Sequence, residues 1–195
     1  MKLVIPIKIW IQMMNYAEIC LPNEVTGNGI IELNRGLDTF RVREIFLPTQ
    51  SVEPAFSQFG ETGLHEIITD LIEEGRKDDV EKLKFRWHSH GMGAVFFSGV
   101  DVMDIRSETS DYVVNLVING RGERLARLDM KRPFRIENIP LEVVFDYFDS
   151  RLTKKCRDEM AKKVTIIKRD ALKKGEVFHG EDLFGKGFFG PDQVV

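Results

Sequence analysis

Apolar residues recur along this chain in two rhythms. Ile7, Trp10, Ile11, Met14 and Ala17 follow at helical spacing, so Pro6–Cys20 reads as an amphipathic helix that Leu21-Pro22 ends. Pro6 suits its first turn, and Lys2–Ile5 before it reads as a short strand. Asn23–Leu33 and Thr39–Leu47 read as strands joined at Asn34-Arg35-Gly36 into a hairpin. Gly27 and Gly29 in the first of them permit a bulge or a close backbone approach. Pro48–Glu61 reads as a loop whose Phe56 and Phe59 either tuck onto the core or flank a site as a flap. Leu64, Ile67, Ile68, Leu71 and Ile72 mark a helix that stops near Gly75. A strand over Phe85–His90 comes next, then a helix from Ser98 to about Ser107. Tyr112–Ile118 is nearly all apolar, the pattern of a strand buried on both faces. Asn119-Gly120 predicts a tight hairpin turn, with further strands over Arg124–Met130 and Phe134–Val144. Phe96 and Phe97 read as β and core material. From Tyr147 to Lys174 the period turns helical, with Leu152, Cys156, Met160, Val164 and Ile167 as its stripe. Gly175–Val195 has no period and is rich in Gly and Phe.

Composition narrows the class. The 195 residues are 43% hydrophobic and carry a net charge of −3, which points bulk electrostatics at neither nucleic acid nor membrane. No apolar run is long enough to cross a bilayer, and Pro6 interrupts the apolar start where a secretory signal would continue. Lysines and arginines crowd the helical segment between Lys154 and Lys174. They read as a solvated face ahead of a nucleic-acid or acidic-partner patch. Cys20 and Cys156 stand far apart, carry little disulfide signal and fit a reducing, cytoplasmic setting.

The stretch from Trp87 to Asp101 carries the chemistry. It holds two of the four histidines, His88 and His90, one residue apart. On a strand, residues i and i+2 share a face, so the two imidazoles would project side by side. Asp101 would add an oxygen from the first turn of the following helix. Two histidines and a carboxylate leave a fourth tetrahedral position for water, the pattern of a catalytic zinc site. Blander readings exist. The histidines could occupy a half-buried polar strand face, and Ser98 with Asp101 could form a helix cap. Capping accounts for the helix start but not for His88 and His90. His65 and His179 read as structural.

His88-x-His90, seven residues, Ser98, two residues, Asp101 matches the JAMM motif residue for residue. The chain thereby resembles the JAB/JAMM metallopeptidases, the MPN-domain proteins that retain a metal site, over most of residues 5–145. Glu24-Val25-Thr26-Gly27-Asn28-Gly29 and Trp87-His88-Ser89-His90 look most like the branch found in bacteria, archaea and phages. Gly91 follows His90 where many eukaryotic members have proline. The resemblance implies an α+β fold over residues 1–148, an MPN/JAB-like (cytidine-deaminase-like) mixed sheet flanked by helices. A basic amphipathic helix at 149–174 and a Gly/Phe-rich tail at 175–195 lie outside it.

Roles follow from the resemblance. His88, His90 and Asp101 would bind one zinc ion. Glu24 would act as general base, and Ser98 would donate a hydrogen bond to the oxyanion. On sequence alone Glu18 and Glu32 compete with Glu24, and only the resemblance singles Glu24 out. Zinc lowers the pKa of a bound water to about 7, and a positioned carboxylate adds about 10²–10⁴-fold in rate. Both histidines must be neutral to ligate, so activity is expected to fall below about pH 6. The implied function is a zinc metallopeptidase or isopeptidase, deubiquitinase-like, acting on a protein or peptide substrate such as the tail of a ubiquitin-like protein. The resemblance also admits a homodimer. The alternative is an MPN-fold scaffold or phage assembly subunit whose metal site is idle.

Overall fold

A computed structural model describes residues 1–53, 56–59 and 63–146. The helix expected at 149–174 and the tail at 175–195 lie outside the described residues. Met1–Tyr147 forms one compact unit. Its first strand, β1 (Lys2–Pro6), alternates so that Leu3 and Ile5 are fully buried. Helix α1 (Ile7–Cys20) follows without a loop and buries Ile9, Met13 and Ala17. That face is rotated from the expected stripe, and Ile11 is exposed. The helix is apolar on nearly every side of its first two turns, so periodicity alone does not choose the buried face.

Next come β2 (Thr26–Asn34), β3 (Thr39–Phe46), β4 (Gln50–Glu53) and β5 (Phe56–Phe59). The expected loop over Pro48–Glu61 is therefore a small antiparallel hairpin. Where the Phe56 and Phe59 side chains lie is outside the described residues. Helices α2 (Gly63–Glu73) and α3 (Lys77–Val80) lead to β6 (Phe85–Ser89), α4 (Gly99–Ser107), β7 (Tyr112–Ile118), β8 (Arg124–Met130) and β9 (Ile136–Asp146). As expected, Val113 to Ile118 are all buried. The tight turn expected at Asn119-Gly120 is a longer loop instead. The Asn119 side chain accepts hydrogen bonds from the backbone N–H groups of Arg121 (3.1 Å) and Glu123 (3.0 Å) and so replaces a two-residue turn.

The strands close into a barrel in the order β1-β3-β2-β6-β7-β8-β9. This corrects the expected mixed sheet flanked by helices. Closure comes from β1, which pairs in parallel with β3 on one side and with β9 on the other. Local hydrophobic alternation shows that Lys2–Ile5 is a strand, but it does not say which two edges that strand joins. Leu3, Val42, Phe85, Trp87, Leu116 and Leu128 fill one face, together with Met13 and Ala17 of α1. On the other face Ile30 packs with Ile67 and Leu71 of α2. Gly27 and Gly29 serve close approach. A Cβ on Gly27 would lie 2.7 Å from the Phe46 carbonyl oxygen and against the Trp87 indole. The irregularity in the β2–β3 ladder sits beyond both glycines, at Ile30/Ile31.

Candidate metal centre

Strand β6 divides its residues strictly by parity. Phe85, Trp87 and Ser89 point into the core, so Arg86 and His88 share the opposite face, with His90 just past the strand end. His88 Nε2 lies 3.1 Å from His90 Nε2 and 3.5 Å from Asp101 Oδ1. The ligand atoms of His88, His90 and Asp101 all fall within 4.8 Å of one another, and the group could hold a metal ion. Bonds of about 2.0 Å to a tetrahedral ion give ligand–ligand separations of about 3.3 Å, so the two close edges fit.

The free atoms are held in place by their neighbours. His90 Nδ1 lies 2.9 Å from the Ala94 carbonyl oxygen. A carbonyl can only accept, so the proton sits on Nδ1 and the Nε2 lone pair is left for a metal. Ser98 and Asp101 form a full capping box at the start of α4. Asp101 Oδ2 accepts from the Ser98 backbone N–H at 2.6 Å, and Asp101 N donates to Ser98 Oγ at 3.2 Å. The capping and metal readings are therefore compatible, since the cap uses Oδ2 and Oδ1 faces His88. Ser98 Oγ accepts in this cap, which leaves its own proton free to donate elsewhere.

Burial lowers the pKa of His88 to about 4, against the raising effect of Asp101. His88 is thus neutral, as ligation requires. Glu24 was expected within the strand; it lies two residues before β2 starts. Its neighbour Val25 is hydrogen-bonded to Ser89, the residue between the two histidines. Burial raises its pKa, His90 lowers it and Asp101 raises it. Phe96 was expected in the core but is 53% exposed, its ring edge-on to His90 with centroids 4.7 Å apart. Phe97 stands edge-on to His88.

Three positioning residues escaped the sequence. Ser89, fully buried between the histidines, accepts from the Val25 N–H at 3.0 Å, and its own N–H donates to the Val25 carbonyl at 2.8 Å. That pins the segment carrying Glu24 beside His90. The Gln50 side chain exchanges two 2.9 Å hydrogen bonds with the Thr26 backbone and continues the ladder where β3 has ended. Asn119, fully buried, donates to the Gly93 carbonyl at 2.7 Å and ties down the loop after His90. Each is a lone polar residue acting on a segment distant in sequence, and no local pattern marks it.

No protein-family model matches the chain, and no curated protein matches it. Among solved structures it is similar to the solution structure of a structural-genomics target protein from Desulfitobacterium hafniense. The TM-score is 0.50 and the identity 18%, over 76% of this chain and 96% of that one. Identity at that level shows a shared fold only. Among the described residues no helix is long and apolar enough to cross a membrane.

Proposed function

We propose that this chain is a JAMM-type zinc hydrolase that cleaves an amide bond in a peptide or protein. The observation that carries the reading is the convergence of His88 Nε2, His90 Nε2 and Asp101 Oδ1, with the segment carrying Glu24 tied through Val25 to Ser89 between the histidines. His88, His90 and Asp101 are the zinc ligands in this reading. Zinc, when bound, supplies a Lewis acid and a water of lowered pKa. The Glu24 carboxylate takes the proton of the attacking water and returns it to the leaving nitrogen; its raised pKa makes it a stronger base for this task. The Ser98 hydroxyl, whose proton the cap leaves free, donates a hydrogen bond to the oxyanion. Neutral His88 favours ligation at and below neutral pH. The free Cys20 thiol suits a reducing, cytoplasmic compartment.

The substrate class is a peptide tail, with a ubiquitin-like C terminus as the first candidate. The test has two parts. Elemental analysis should find about one zinc per chain in the parent protein and none in a His88→Ala/His90→Ala double variant. Glu24→Gln should keep zinc and fold, and lose about 10²–10⁴-fold in cleavage of a fluorogenic amide of a ubiquitin-like tail or of a peptide library. A parent that takes up no zinc would overturn the reading. Biological activity unchanged in Glu24→Gln would favour a scaffold with an idle site.

A further inference from the structure

Arg86 stands two residues before His88 on the same face of β6 and is largely buried, its side chain 26% exposed. Among the described residues its one ion-pair partner is Glu108, with Nη1 3.7 Å from Oε2, too long for a hydrogen bond. Its five N–H donors make no hydrogen bond among the described residues. Asn28 lies opposite Arg86 in the β2–β6 ladder. It is 4% exposed, and its side-chain oxygen has no hydrogen-bond partner. Both residues line a cavity of about 260 Å³ whose other walls include Leu64, Ile68, Val113 and the carboxylate-bearing Glu108. The nearby Lys84 is already engaged, 2.5 Å from Asp111 and over the Tyr112 ring.

The cavity therefore offers a planar cationic fork with free donors beside aliphatic walls. We propose that it binds the side chain of an acidic peptide residue. The carboxylate takes the Arg86 fork and displaces Glu108 one charge for one. The methylene stem lies along Leu64, Ile68 and Val113. A carboxylate suits the site better than a phosphate, because a dianion would face Glu108 and Glu81, both of which line the cavity. Residues i and i+2 of a strand are about 6.6 Å apart. The acidic residue would thus sit within a residue or two of an amide presented to the metal group. That last step, a preference for acidic residues near the scissile bond, rests on the hydrolase reading; the binding itself does not.

The test titrates N-acetylglutamate N-methylamide and its glutamine counterpart into the full chain, without metal and with zinc, and follows backbone amide signals by NMR. The glutamate probe should shift Asn28, Arg86 and Ser110 saturably without metal, and bind at least about tenfold tighter than the glutamine probe. Arg86→Gln should abolish that difference. Glu108→Gln should tighten glutamate binding several-fold, because it removes the competitor; its opposite sign guards against a misfolded Arg86 variant. Equal binding of the two probes, no saturable shift at these residues, or no gain in Glu108→Gln would overturn the proposal. Saturable binding in a chain that takes up no zinc supports this site and removes the hydrolase reading. Zinc uptake without these shifts does the reverse.

Discussion

His88 stays neutral where a free imidazole takes up a proton, because burial holds its pKa near 4 against an ordinary value of 6.5. The consequence for stability has a definite sign. Between about pH 6.5 and about pH 4 the unfolded chain binds a proton at His88 that the metal-free folded chain refuses. Metal-free protein should lose stability as pH falls through that window, by up to about 3 kcal/mol from this residue, and level off below it. Glu24 runs the other way. Its raised pKa favours the folded state below 4.5, and that contribution is lost as pH rises through the shifted value. Urea midpoints of metal-free protein and of His88→Gln at about pH 7, 5.5 and 4 separate the two effects. The parent midpoint should drop with acid more steeply than the variant's. His88 ligation is likewise expected to survive below the pH 6 limit drawn from an ordinary histidine.

At the scale of elements, α4 shows how one local device serves two ends. Its capping box is fully local, Ser98 and Asp101 being three residues apart, so the helix start was legible in the sequence. The same box turns Asp101 Oδ1 toward His88. Ser98→Ala should cost about 1 kcal/mol in stability, the usual worth of an N-cap. Zinc content should stay near that of the parent, since both histidines and Asp101 Oδ1 are untouched. If the hydroxyl serves the oxyanion, kcat should fall about 10²-fold with zinc unchanged. Denaturation, elemental analysis and single-substrate kinetics on the variant check all three. By contrast, what ties the segment carrying Glu24 to the strand end at Ser89 was not legible. It depends on Ser89 holding Val25, a contact 64 positions apart in the chain.

At the scale of the whole molecule, the barrel depends on the five-residue strand β1 making contacts far along the chain. β1 pairs Leu3 with Phe40 on one side and with Val143 on the other. Leu3→Ala should cost about 2–5 kcal/mol, the range for a leucine removed from a packed core, in chemical denaturation. Because β1 closes the barrel, amide exchange in β3 and β9 should rise with it, and unchanged exchange there would count against closure through β1. The sequence by itself determined the approximate places of the barrel strands (though not β4 and β5), the buried β7, the α4 start, and the pairing of His88 with His90 at the end of β6. These follow from periods of 2 and 3.6 and from capping, all of which act over a few residues. Only the tertiary structure decided that the sheet closes, that α1 turns Met13 rather than Ile11 inward, that Gln50 and Asn119 brace the site, and that Ser89 holds Val25. Those outcomes depend on which strand edges meet and which buried polar groups find partners far along the chain. Local alternation leaves such choices open, and burial of the whole core settles them.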